Sequence, residues 1–163
     1  MAPPAPFTPT QLDAYFALTE VSSLLRHAVE QQLRDAGGLS FVQFQLLARL
    51  GDAPDGSQRM TDLADGVVYS RSGLTYQAQL LEKRGLVTRA PSPEDERVVV
   101  VTLTDAGREV LAGVFPGHIE VVRGLLFVAL DDEDVRDLAR ILGRVRDDLR
   151  EQPARSATPR RRS

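Results

Sequence analysis

Glu94, Asp95 and Glu96 stand in succession, and Arg97 then leads into four valines, Val98 to Val101. Adjacent carboxylates can do acid–base work or hold a cation, provided that a desolvated pocket pushes their pKa values apart. Pro91 and Pro93 flank this run, which suits an exposed hairpin tip better than a pocket. No base, nucleophile or glycine-rich phosphate loop accompanies it, so an enzyme is not expected. The chain has no cysteine, which removes disulfides, thiolate chemistry and cysteine zinc sites together. Its two histidines, His27 and His118, are too few for a histidine metal site and read more simply as packing or surface residues. Neither a metal nor a cofactor is expected.

The elements that must carry these residues come next. At 163 residues, 42% apolar and 26% charged, the chain suits one domain with extensions and can bury a real core. No uninterrupted apolar run reaches membrane-span length, and the first ten residues lack the pattern of a secretory signal. A cytoplasmic globular protein is the expectation. Net charge is −3, which argues mildly against a nucleic-acid partner. That value is uneven: 131–137 holds five acids and one arginine, while 153–163 holds four arginines and no acid.

Residues 1–9 contain four prolines and read as a disordered tail. Thr10, with Asp13 three residues on, is expected to cap a first helix over 10–38. Its apolar stripe runs through Leu12, Tyr15, Phe16, Leu24, Leu25, Ala28 and Leu33, and Gly37 and Gly38 end it. Ser40 caps a second helix with Phe41, Phe44, Leu47 and Leu50 inward and Gly51 as terminator. Two short helices follow, capped by Thr61 and Ser70, the second ending at Gly85. Leu86 to Ala90 and Val98 to Leu103 read as two strands around the acidic tip. Thr104 caps a long helical stretch that Pro116 is expected to kink, and Asp131 caps a last helix that Pro153 stops.

Helix, helix–turn–helix and hairpin in that order is the winged-helix plan, in which the second helix of the turn motif enters the major groove of DNA. The fold class is therefore mainly α with a small β element: a winged helix-turn-helix over 39–104 with a two-stranded wing. Flanking dimerisation helices occupy 10–38 and 105–152, and a basic disordered tail occupies 153–163. A wheel over 70–84 places Leu74, Ala78 and Leu81 on one side, with Gln77 beside them. Ser72, Thr75, Tyr76, Gln79 and Lys83 fall opposite, a short polar face suited to base edges and phosphates. Gln79 can read adenine and Arg71 guanine in bidentate fashion. The alternative is an ordinary solvated helix face.

"LSFVQFQLLARL" and the run from "MTDLADGVVYSRSGLTYQ" through "LEKRGLVTR" to "DERVVVVTLTDAGREVL" resemble the multiple-antibiotic-resistance regulator (MarR) family of winged-helix transcription factors. The resemblance covers roughly 39–111. It implies that Arg97 enters the minor groove from the wing while Asp95 braces the loop. Arg89 then supports the base of the wing or contacts the DNA backbone, and Ser70, Arg71, Ser72 and Thr75 open the recognition helix. "GVVYS" departs from the family's usual turn, and Tyr76, Gln77 and Leu80 depart along the helix. The family also implies a small aromatic or anionic effector, for which Phe16, His27, Phe44 and Phe115 are candidate contacts.

The terminal helices carry more apolar stripe than one winged domain needs, which a second copy in a two-fold dimer would cover. The expected partners are double-stranded DNA with a palindromic operator, a second copy of the chain and a small effector, with no membrane. A winged-helix module for protein–protein contacts, or a regulator without a ligand, stands as the alternative.

Overall fold

In a computed structural model, residues 5–67 and 71–151 are described, Arg71 by its backbone only. The chain divides into two compact units, 1–122 and 123–163. The first helix, α1, spans Pro9–Gly37. Its cap is Thr8 and not Thr10: the Thr8 hydroxyl accepts from Gln11 N while the Gln11 side chain accepts from Thr8 N. Proline fits the first helical position, where its missing N–H costs nothing. This moves the start into the segment read as tail. At the other end Gly38, at φ 61°, closes α1 in the left-handed conformation that glycine adopts without strain.

Helix α2 spans Phe41–Asp52 behind a Ser40–Gln43 capping box. It runs through the expected terminator Gly51 to Asp52, with Ala53 as its C-cap. A strand follows where none was expected, β1 at Ser57–Arg59. It is only three residues long and has no alternating pattern of its own, so periodicity could not show it. Helix α3, Met60–Gly66, begins behind Arg59 with no side-chain cap, so Thr61 does not serve as one. Helix α4, Arg71–Lys83, is the expected recognition helix; its proposed cap Ser70 lies outside the described residues.

Strands β2, Val87–Pro91, and β3, Val99–Leu103, pair antiparallel, with Arg89 opposite Val101 and Pro91 opposite Val99. β1 pairs on the free side of β3, giving the order β1-β3-β2. The wing is thus two strands of a three-stranded sheet. Helix α5, Asp105–Leu125, starts with Gly107 N bonded to the Thr104 hydroxyl, as expected, and runs on through Pro116.

One core serves the first unit. Val29 and Leu33 of α1, Leu46, Leu47 and Leu50 of α2, Leu63 of α3, Leu74, Ala78 and Leu81 of α4, and Val101 and Leu103 of β3 are buried, with Val114 of α5. The wheel for α4 therefore holds. Gly107 sits where a Cβ would meet the Leu86 carbonyl, which lets α5 start tight against the sheet. The stretch Asp105–Ala129 is long and apolar enough to cross a membrane by length and composition, with a mean hydropathy of 1.4 over an 18-residue window. Averaging across Gly113, Pro116 and Gly117 produces that value, although no unbroken apolar run exists. Val114 is buried, and Val110, Leu111, Val121 and Val122 pack on the protein core.

The second unit holds a short 3-10 turn, Phe127–Ala129, and helix α6, Asp132–Glu151. Asp131 caps α6, accepting from Glu133 N at 2.8 Å and Asp134 N at 2.9 Å. Asp132, Glu133 and Asp134 fill its first turn, where the helix dipole favours carboxylates. No α6 residue is buried: Ile141 is 43% exposed, Val145 47% and Leu149 63%. The expected stop at Pro153 lies outside the described residues.

Candidate nucleic-acid interface and effector cavity

The outer face of α4 is assembled by burial of the inner one. With Leu74, Ala78 and Leu81 locked in the core, helical spacing turns Ser72, Tyr76, Gln79 and Lys83 outward, and all four are exposed. Thr75 is half-buried at the edge of this face, toward the wing. Gln77 lies beside the core and its Oε1 accepts from Gln43 Nε2 at 3.0 Å.

The wing tip is held by backbone bonds that Asp95 makes possible. Arg97 N donates to Asp95 Oδ1 at 3.0 Å, and Val98 N donates to the Asp95 carbonyl at 2.9 Å. The hairpin closes with Ser92 N on the Val98 carbonyl at 2.7 Å. Arg97 is exposed beyond this loop. Glu94 and Glu96 are fully outward; Glu94 meets Arg59 at 3.5 Å in an exposed ion pair of the kind that contributes about 0–1 kcal/mol. Arg59 had no signal in the sequence, because only β1 brings it to the wing.

Arg89 is half-buried in the middle of β2, where its guanidinium meets Glu82 at 2.8 Å and its backbone N donates to Glu82 Oε1 at 3.2 Å. That pairing ties the wing to α4 and consumes the carboxylate nearest the outer face. Thr75, Arg89 and Arg97, expected at DNA from three separate elements, line one cleft of about 210 Å³ with Met60 and Thr61. Ser70 and the Arg71 side chain lie outside the described residues.

The four candidate effector contacts separate into two pairs. Phe16 is 60% exposed and His27 is exposed, both on the outer face of α1. Phe44 and Phe115 come together instead around His118, one of the two histidines read as packing or surface residues. Ring centroids are 4.6 Å apart for Phe44 and His118, and 6.3 Å for Phe115 and His118. Phe44 and His118 line a cavity of about 480 Å³ with Arg26, Phe41 and Gln45. Phe115 lines a second one of about 600 Å³ with Leu111 and Ile119. The Arg26 guanidinium lies 5.4 Å above the Phe41 ring. Burial lowers the His118 pKa from its ordinary 6.5, which favours the neutral ring, and its buried Nδ1 has no hydrogen-bond partner among the described residues.

A sequence model of the MarR family matches residues 37–98, the span from the end of α1 to the wing tip. The HTH-type transcriptional regulator MhqR of Bacillus subtilis (strain 168) is 30% identical over 105 residues, covering 64% of this chain and 68% of that one. The HTH-type transcriptional repressor YetL of the same organism is 28% identical over 122 residues, covering 75% and 72%. Among solved structures, Sco3205, a MarR family transcriptional regulator from Streptomyces coelicolor in complex with DNA, matches with a TM-score of 0.87 at 33% identity. That match covers 94% of this chain and 95% of the other. With the winged fold, the polar outer face of α4 and the braced wing in place, the chain belongs to the MarR family of winged-helix transcriptional regulators.

Proposed function

We propose that this protein is a cytoplasmic, homodimeric repressor that binds palindromic DNA operators and is released by a small aromatic or anionic ligand. The observation that carries the DNA reading is the pairing of an exposed, carboxylate-poor face on α4 with Arg97 exposed on the adjacent wing. In this reading Ser72, Tyr76, Gln79 and Lys83, with Arg71 and Ser70 at the helix start, face the major groove. Arg97 enters the neighbouring minor groove. Thr75 lies at the cleft between them. Arg89 acts mainly through Glu82, holding the wing at its angle, and Asp95 holds the loop that displays Arg97.

The dimer reading rests on the apolar residues that α1 and α6 leave in water, among them Tyr15, Leu24, Ile141 and Leu149. Residues 10–38 and 105–152 supply the pairing surface, and the two-fold axis makes the operator an inverted repeat. YetL carries the name repressor, which favours repression here. The ligand reading rests on the His118 cavity: aromatic walls from Phe41 and Phe44, an arginine at its edge and one unpaired ring nitrogen suit a flat, oxygen-bearing molecule.

Mobility shift of the upstream DNA of its own gene, at several salt concentrations, tests this function. The expected result is a shift that scrambled DNA does not reproduce and that Arg97→Ala weakens. Equal binding of both duplexes by the unaltered chain would contradict it. For the ligand, salicylate-like aromatic acids should raise the Tm of the chain and not of His118→Phe; no shift with any of them would leave constitutive regulation.

A further inference from the structure

The "LEKRGLVTR" run contains a cation, Arg84, that the DNA face does not use. Arg84 leaves the end of α4 and turns back to α1. Its Nη1 donates to the Gly38 carbonyl and its Nη2 to the Gly37 carbonyl, each at 2.8 Å. Other carbonyls at the end of α1 are satisfied locally, by Gly38 N on Arg34 O and Leu39 N on Leu33 O. The carbonyls at 37 and 38 have no such turn partner, and a planar fork reaching both is a geometry that arginine supplies and lysine does not.

A second bond fixes the same corner. Gln43, in the capping box of α2, receives Ser40 N on its Oε1 and gives its Nε2 hydrogen to Gln77 of α4. The α1–α2 corner therefore grips α4 at two points seven residues apart, Gln77 and Arg84, on the side away from the exposed polar face. Burial of Leu74, Ala78 and Leu81 sets which face of α4 turns outward, and the directed bonds add a fixed distance and angle that non-directional apolar contact supplies less sharply.

We infer that Arg84 is a positioning residue for DNA reading: its two bonds to the end of α1 set the rotation and register of α4, without Arg84 itself touching DNA. The inference rests on the DNA-binding reading above. Loss of the fork lets the outer side chains wander from their base edges, which weakens specific binding and leaves phosphate attraction as it was.

The test measures dissociation constants for the upstream DNA and a scrambled duplex across salt, for the full chain, Arg84→Ala, Arg84→Lys and Gln77→Leu. Arg84→Ala should lose about tenfold on the upstream DNA and less than about twofold on the scrambled duplex, with the salt slope unchanged. Arg84→Lys keeps the charge but not the fork, so it should fall with Arg84→Ala; Gln77→Leu should show the same selective loss, smaller. Lysine at full affinity, equal losses on both duplexes, or a salt slope reduced by about one would overturn the inference, the last by marking a phosphate contact. If Arg84→Ala unfolds, the lysine variant decides alone. A full chain that does not discriminate the two duplexes sinks the DNA reading itself, an outcome distinct from any of these.

Discussion

Residues 39–103 and the terminal helices treat apolar surface in opposite ways. In the winged part Leu39, Leu46, Leu47, Leu50, Leu63, Leu74 and Leu81 are all within 1% of complete burial. Along the first half of α1 and throughout α6, by contrast, Tyr15, Phe16, Leu24, Val145 and Leu149 are each close to half exposed or more. The winged part buries its leucines inside one chain, and what it turns outward is mostly polar, with Tyr76 and Val99 as exceptions. The terminal helices leave apolar stripes in water, and the proposed dimer rests on them. In the proposed function DNA reading and self-association thus belong to different parts of the sequence, and either surface can be altered while the other keeps its fold.

The largest expected effect comes from charging the terminal stripe. Leu142→Asp on α6 should convert a dimer to a monomer in sedimentation and weaken operator binding by about 100-fold or more, since two linked half-sites become one. The circular dichroism of the winged part should be unchanged. A dimer that survives would erase the contrast. Next, Leu47→Ala removes a side chain with no exposure from the core and should cost about 2–5 kcal/mol in denaturant unfolding. The same truncation at Leu149, 63% exposed, should cost the monomer fold little. Arg97→Ala comes third, a loss of about 1–3 kcal/mol in operator binding with thermal stability unaltered.

The smallest effect is in pH. Burial holds the folded His118 below its ordinary 6.5, so the unfolded chain binds the proton more readily. Stability should therefore be full above pH 6.5 and decline as pH falls through the lowered value. His118→Phe should flatten that decline, and titration of the imidazole by NMR should show the shift directly.

The same contrast explains what could be read from the sequence. Where a residue's role follows from its neighbours along the chain, the reading held: the inward face of α4, the hairpin around Pro91 and Pro93, the caps at Ser40, Thr104 and Asp131. The cap of α1 was misplaced by two residues because Thr8 and Thr10 both offer a hydroxyl, and only the proline between them favours the earlier start. Roles set by distant pairing were invisible. β1 exists because β3 offers it an edge, and Arg59 reaches Glu94 only through that pairing. Arg84 was quoted within a motif, yet nothing in its spacing points to carbonyls 46 and 47 residues away. His118 likewise gains its place from Phe44, on another helix.

The central claim is that two copies of this chain read DNA through α4 and the wing of each. Selection of bound duplexes from a fully randomised pool by the full-length chain tests it most directly. The predicted result is an enriched inverted repeat whose half-sites are centred about one helical turn apart, about 10–10.5 base pairs. No enriched sequence, or a single half-site with no inverted partner, would contradict it.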